Sequence, residues 1–134
     1  LITGALDFVV EGLRPLFDEI VSAKLTVRPD GTYSGNMGVV PPTGETRAEI
    51  LADYCASEGL RLEDSVAYAD STSDLPMLEA VGFPVAVNPE TRLAAIARKR
   101  GWLVEHWEKA SGAPKMLLPL GSVLAERERR RVFQ

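Results

Sequence analysis

Two aspartates, Asp70 and Asp74, stand four residues apart directly after the apolar run Val66–Ala69. This run predicts a buried strand, so Asp70 is expected at its carboxyl end and Asp74 one turn into the following helix. Magnesium prefers oxygen ligands such as carboxylates, and it neutralises charge when a phosphoryl group is transferred. The spacing therefore indicates metal-assisted phosphoryl chemistry, with both carboxylates facing one crevice.

Residues 70–74 have two other interpretations. A calcium-binding loop needs glycine at its sixth position, but Leu75 stands there and is followed by Pro76, so this interpretation is excluded. In the second interpretation Ser73 caps a helix that carries Pro76 in its first turn, and the helix dipole favours Asp74. Such a cap is compatible with a chemical role for the two aspartates.

Two further segments carry residues suited to binding an anion. Thr3 and Gly4 come at the end of a predicted strand and just before a predicted helix, where backbone N–H groups and a hydroxyl can converge on phosphate oxygens. A threonine at a helix entry is the alternative for Thr3. Arg47 lies in the first turn of another predicted helix, where its planar fork could bind phosphate. The alternative is an exposed arginine in a helix capped by Thr43 or Thr46.

Taken together, the motifs of this chain resemble those of the haloacid dehalogenase superfamily, specifically its phosphoserine-phosphatase-like branch. The resemblance rests on the second motif, the small hairpin, the third motif, the fourth motif and the strand after it, at residues 1–5, 30–35, 44–47, 70–78 and 82–89. It covers about residues 1–107 in the family's order, which is more specific than any single short motif.

The resemblance implies a magnesium-dependent phosphatase that hydrolyses phosphate monoesters of small molecules through an aspartyl-phosphate. Asp70 is then expected to bind Mg²⁺, and Asp74 to act in catalysis by orienting Arg47 or a metal-bound water. Thr3, Gly4 and Arg47 are expected to bind the substrate phosphate, with Arg47 also acting in catalysis. Arg47 stands where the family usually has lysine, which keeps the charge but changes the geometry.

The family's first motif is absent from the sequence. That motif, Asp-x-Asp on the central strand, supplies the nucleophile and the general acid, and no Asp-x-Asp occurs among the 134 residues. Asp7 is followed by Phe8 and Val9, and is expected instead to cap a helix. The helical cap of the family, which usually selects the substrate, is also absent. Ser73 replaces an asparagine that is common in phosphoserine phosphatases, so the resemblance does not imply that phosphoserine is the substrate.

These absences predict that the chain is the C-terminal part of a longer protein. Residues 1–107 would form a phosphatase-like core that lacks the nucleophile strand and the cap, and residues 108–134 a C-terminal loop and helix. In this interpretation an N-terminal segment outside the chain supplies the nucleophile. The alternative is a non-catalytic, phosphatase-like domain that serves assembly or regulation.

The order of predicted elements indicates an α/β fold, namely a doubly wound, Rossmann-like parallel sheet with an inserted β-hairpin, incomplete at its N-terminus. The strands are predicted at 1–3, 21–28, 32–38, 64–70 and 84–88, and the helices at 7–20, 44–58, 73–81, 90–100 and 120–132. Without the nucleophile strand, two inner strands would have unpaired edges. We expect direct strand pairing, self-association or a neighbouring segment to cover those edges.

Composition limits the remaining possibilities. A length of 134 residues with 46% hydrophobic content fits one domain, and the net charge of −4 disfavours nucleic acid as a partner. Cys55 is the single cysteine and is expected in the core, so no intrachain disulfide can form. His106 is assigned no role. No membrane span or signal peptide is visible, so a cytoplasmic location is the default.

Overall fold

The strands form two three-stranded sheets in the computed structural model, which describes residues 1–39 and 41–108. The strands are β1 (Ile2–Leu6), β2 (Val21–Val27), β3 (Tyr33–Val39), β4 (Val66–Ala69), β5 (Phe83–Val87) and β6 (Leu103–Glu105). In the first sheet β2 pairs in parallel with β1 and antiparallel with β3, which is the predicted hairpin. In the second sheet β5 lies between β4 and β6, and all three strands are parallel.

Helices alternate with the parallel strands, which confirms the predicted α/β class. The α-helices are α1 (Asp7–Val10), α2 (Glu45–Ser57), α3 (Leu75–Ala80) and α4 (Thr91–Arg100), and short 3₁₀ segments occur at Glu11–Leu16, Leu62–Asp64 and Thr72–Asp74. None of the helices in the described ranges has the length and apolarity needed to cross a membrane. The predicted helix at 120–132 and the predicted C-terminal unit lie outside the described residues, apart from Glu108.

The second sheet carries the main core on one of its faces. Ala67 of β4 and Ala86 of β5 face this core, and Leu78 of α3 and Leu93 of α4 are fully buried there. Burying a leucine side chain stabilises a fold by roughly 1.5–3 kcal/mol. The alternate residues of the same strands pack on the opposite face, around the buried Val85. The core therefore fixes where β4 ends and thus where the site residues begin.

A close backbone contact supports the start of β5. The N–H of Gly82 donates to the carbonyl oxygen of Leu62 at 2.9 Å. A Cβ atom added to Gly82 would overlap the carbonyl group of Glu63, so glycine is required here for steric reasons. This contact holds the 3₁₀ turn before β4 against the strand that pairs with β4.

The predicted helix at 7–20 is wrong. The α-helix ends at Val10 and becomes the 3₁₀ segment Glu11–Leu16, which contains Pro15. Proline lacks an N–H donor and clashes with the preceding turn, so it interrupts an α-helix. Asp7 does not cap the helix as predicted, because it is the first helical residue and its carboxylate accepts only from the N–H of Phe8 at 2.8 Å. β6 is a strand that the pattern does not predict.

The inner edges of the two sheets are open. β1 and β4 each have a partner on one side only within the described ranges, and the two strands do not pair with each other. Direct pairing, one of the three expected ways to cover these edges, therefore does not occur. β1 and the turn that follows β4 nevertheless both contact α2, where the candidate site lies.

Candidate functional site

Asp70 directly follows β4, at the carboxyl end where the sequence places it. Its side chain is exposed, and its carboxylate makes no hydrogen bond or ion pair with the described residues. Its backbone carbonyl oxygen accepts from the N–H of Glu90 at 2.9 Å. The carboxylate is thus held through the backbone and is open to a ligand.

The turn from Ser71 to Asp74 leads from β4 into α3. The hydroxyl of Ser71 accepts from the N–H of Ser73 at 3.2 Å, and its carbonyl oxygen accepts from the N–H of Asp74 at 3.1 Å. Ser71 therefore caps this turn, and the predicted capping role of Ser73 is wrong. The helical turn begins at Thr72, one residue earlier than predicted, so the capping position moves to Ser71. Pro76 lies in the first turn of α3, as predicted.

Asp74 forms a largely buried ion pair with Arg47. The Oδ1 atom of Asp74 accepts from Nη1 of Arg47, and the side chains are 6% and 19% exposed, respectively. The carboxylate of Asp74 makes no capping bond to α3, although it lies at the N-terminus of that helix. Of the two roles expected for Asp74, this geometry matches the orientation of Arg47.

Two hydrogen bonds fix the direction of the Arg47 side chain. It lies in the first turn of α2, and its Nε donates to the carbonyl oxygen of Pro42 at 2.7 Å. Its Nη1 atom binds Asp74, while Nη2 would lie 3.9 Å from a Cβ atom placed on Gly4. Nη2 has no hydrogen-bond acceptor among the described residues. The guanidinium group therefore binds the turn after β4 and the loop before α2, and its Nη2 atom lies near Gly4 of β1.

Thr3 and Gly4 lie within β1 rather than at its end as predicted, because the strand continues to Leu6. The pairing of β1 with β2 is irregular between Ile2 and Leu6. The hydroxyl of Thr3 accepts from the N–H of Ala5 at 3.1 Å, a local bond that competes with regular pairing. The predicted strand end at Thr3 corresponds to this irregularity. Gly4 reaches Arg47, whereas no hydrogen bond joins Thr3 to the other candidate residues.

Glu90 takes part in the site, and the sequence analysis missed it. Its carboxylate accepts from the backbone N–H and the hydroxyl of Thr72, at 2.8 and 2.5 Å. The hydroxyl and backbone bonds from Thr72 lower the pKa of Glu90 below its ordinary value. Glu90 is 18 residues from Thr72 in sequence. The sequence signal, a polar residue between Pro89 and a helix, indicates only a helix start.

The described residues contain no group of three or more His, Cys, Asp or Glu side chains placed to hold a metal ion. Asp70 fits as one ligand, because an exposed carboxylate without a protein partner can bind a hard cation that keeps several waters. One carboxylate holds magnesium weakly. His106 is exposed, and Cys55 is buried in α2, as predicted.

Comparison with known families identifies related proteins. Residues 1–79 match the family described as haloacid dehalogenase-like hydrolase. The chain is 42% identical over 96 residues to the inhibition of morphological differentiation protein of Streptomyces azureus. It is 33% identical over 118 residues to a phosphoserine phosphatase of Mycobacterium tuberculosis, and 33% identical over 109 residues to a histidinol-phosphatase of Neisseria meningitidis.

The chain spans only part of these relatives. The three alignments cover 70%, 88% and 78% of the chain, but 34%, 33% and 49% of the relatives, in the same order. A protein of unknown function from Bordetella pertussis Tohama I superposes with a TM-score of 0.68 at 34% identity, over 78% of this chain and 49% of that one. A phosphoserine phosphatase without ligand superposes with a TM-score of 0.62 at 26% identity, over 79% and 50%. The fold is thus shared with phosphatases.

Proposed function

Because the chain belongs to the haloacid dehalogenase-like hydrolase family, we propose that it is part of a magnesium-dependent hydrolase of phosphate monoesters. The observation that supports this proposal most directly is the position of Arg47. Its guanidinium group binds Asp74, and its Nη2 atom lies near Gly4. Parallel strands gather ligand sites at their carboxyl ends, and these contacts join the loop after β4 to β1. The phosphatase names of two relatives support this reaction class.

In this proposal Arg47 binds the phosphoryl group through Nη2. Nε and Nη1 already donate to Pro42 and Asp74, so they fix the orientation of the guanidinium plane. Nη2 beside Gly4 keeps its donors for phosphate oxygens, and charge-assisted bonds of this kind are strong. Gly4 borders the same space, and in this proposal Thr3 of the same strand also binds the phosphate. Asp74 does not contact the substrate in this proposal. It orients Arg47 by accepting a hydrogen bond from Nη1.

We assign Asp70 to the metal. Magnesium bound at its carboxylate would neutralise charge on the phosphoryl group. The nucleophile of the proposed aspartyl-phosphate route comes from a segment outside this chain, since the sequence has no Asp-x-Asp. In this route its carboxylate oxygen would attack phosphorus while the ester P–O bond breaks, and the alcohol would leave with a proton from the general acid of the same segment. Water would then hydrolyse the acyl phosphate to phosphate and the free carboxylate. The open edges of β1 and β4 are where such a strand would pair.

The substrate class in this proposal is a phosphorylated small molecule. One relative is named for phosphoserine and another for histidinol phosphate, so a small alcohol esterified with phosphate fits both names. Ser73 lies on the exposed side of the turn after β4, where its hydroxyl donates to Ser71.

The test compares two proteins for magnesium-dependent release of p-nitrophenol from p-nitrophenyl phosphate. We expect no activity from the 134-residue chain and activity from a longer product that adds the segment encoded before Leu1. In the longer product, Asp70→Asn and Arg47→Met should each lower kcat/KM by about 10²-fold or more, since each removes a charge next to the phosphoryl group. Asp53→Asn, an exposed change on α2, is the matched control and should leave activity unaltered.

Two results would contradict the proposal. Robust activity of the verified 134-residue chain, abolished by Asp70→Asn, would place a nucleophile within this sequence. Tight stoichiometric binding of magnesium that survives Asp70→Asn, measured by titration calorimetry on the isolated chain, would refute the assignment of Asp70. Weak binding that is lost in Asp70→Asn is the expected result.

A second candidate function is a non-catalytic domain for assembly or regulation. It is favoured by the engagement of two Arg47 nitrogens with protein acceptors, which gives this residue a structural role of its own. The same assay discriminates, because a longer product that folds and remains inactive with magnesium supports this candidate.

A further inference from the structure

Glu90 joins the loop after β4 to the start of α4. Its Oε1 atom accepts two hydrogen bonds from Thr72, one from the backbone N–H at 2.8 Å and one from the hydroxyl at 2.5 Å. Its own backbone N–H donates to the carbonyl oxygen of Asp70 at 2.9 Å. Glu90 therefore holds the residues on both sides of Ser71, the carbonyl before it and the amide after it.

The helix that Glu90 precedes does not explain the direction of its side chain. Glu90 occupies the N-cap position of α4, and its carbonyl oxygen accepts from the N–H of Ala94 at 2.9 Å. A side chain at this position usually accepts from the second or third N–H of its own helix. The carboxylate of Glu90 makes no such bond and instead crosses to the neighbouring loop. The contact thus serves the loop after β4.

The neighbouring strands bring these two loops together. β4 and β5 pair in parallel, with Ala69 opposite Ala86, so the loops that follow the two strands leave the sheet at the same edge. The Asp70 carboxylate has no hydrogen bond of its own within the described ranges. Where it points therefore depends on how the backbone at 70–72 is held.

We infer that Glu90 is the positioning residue for Asp70, holding the loop so that the Asp70 carboxylate faces a divalent cation at the carboxyl end of β4. The part of this inference that concerns the cation rests on the proposed function. The part in which Glu90 holds the backbone at residues 70–72 does not. Removing a group that orients a metal ligand without binding the metal itself typically weakens metal affinity by about 10–100-fold. The hydrogen bonds that Glu90 makes with Thr72 and with the carbonyl oxygen of Asp70 could orient Asp70 in this way.

The experiment uses the 134-residue chain labelled with ¹⁵N, and three variants: Glu90→Ala, Glu90→Gln and Thr72→Val. Backbone relaxation of residues 70–72 reports whether the loop is held, and Mn²⁺ as the only added metal reports affinity through relaxation enhancement. Glu90→Ala should make residues 70–72 mobile and weaken Mn²⁺ binding about tenfold or more. Glu90→Gln keeps an acceptor oxygen without the charge and should restore most of both properties. Thr72→Val removes only the hydroxyl bond and should fall between.

The Glu90→Gln variant separates positioning from simple charge. If the negative charge of Glu90 merely attracts the cation, Glu90→Gln and Glu90→Ala should weaken Mn²⁺ equally, and that result would overturn the inference. Unchanged relaxation at residues 70–72 in Glu90→Ala would also overturn it. Glu63→Gln, an exposed change away from the loop, is the matched control. If even the original chain fails to bind Mn²⁺ while Glu90→Ala loosens the loop, the metal assignment of the proposed function fails and the support by Glu90 stands.

Discussion

The ion pair between Arg47 and Asp74 should be the most energetically sensitive contact of the site. The Asp74 side chain is 6% exposed and that of Arg47 is 19% exposed. Removing one partner of a buried pair costs about 3–5 kcal/mol, because the other charge is left buried without compensation. Arg47→Met leaves the carboxylate of Asp74, the more deeply buried charge of the two, without a partner. We therefore expect this variant to lose about 3–5 kcal/mol of unfolding free energy.

The reverse change should cost less. In Asp74→Asn the arginine that remains is more exposed and keeps its bond to the carbonyl oxygen of Pro42 at 2.7 Å. We expect a loss of about 1–3 kcal/mol, the usual cost of an imperfectly satisfied polar group. In the double variant no unpaired charge remains, so its loss should be smaller than the sum of the single losses by about 1–3 kcal/mol.

Urea unfolding at pH 7, followed by tryptophan fluorescence, measures these free energies. The exposed ion pair between Glu11 and Arg14, whose side chains are 64% and 56% exposed, gives a matched control cycle. Glu11→Gln and Arg14→Met should show a coupling below about 1 kcal/mol. Additive losses at Arg47 and Asp74, or a larger loss for Asp74→Asn than for Arg47→Met, would refute this reasoning.

Three further changes have defined outcomes. Gly82→Ala should lower the unfolding free energy by about 2 kcal/mol or more, because its Cβ overlaps a backbone carbonyl, whereas Gly12→Ala has open space and should change it little. Thr72→Val should raise the Glu90 pKa towards its ordinary value in an NMR titration, since the Thr72 hydroxyl is the main cause of the lowering. The carboxylate bonds of Glu90 should stabilise the fold above about pH 4.3 and be lost as pH falls through the lowered pKa, so the stability difference between Thr72→Val and the original chain should shrink in acid. Tyr68→Phe should leave stability equal or up to about 1 kcal/mol higher in urea unfolding, because the buried hydroxyl has no partner among the described residues.

The sequence allowed the position of Asp70 to be predicted, because a short apolar run between polar segments has one clear interpretation as a buried strand. The predicted helix 7–20 failed for a local reason: the hydrophobic spacing continues past Pro15, but the proline interrupts the α-helix. The partners of Glu90 were unpredictable for a different reason. Its contact with Thr72 depends on two loops that meet only when β4 and β5 pair, and no local pattern encodes that meeting.

Arg47 supplies side-chain bonds in a region where the two sheets share no backbone pairing. Within the described ranges β1 and β4 share no backbone bonds, so side chains must relate one strand to the loop of the other. The guanidinium group does this in three directions at once: Nε to Pro42, Nη1 to Asp74 and Nη2 beside Gly4. A lysine ammonium is a single point of charge and lacks the planar fork with which arginine binds Pro42 and Asp74 while Nη2 stays free. Arg47 therefore carries a positive charge at this position and also binds the turn after β4 to the loop before α2.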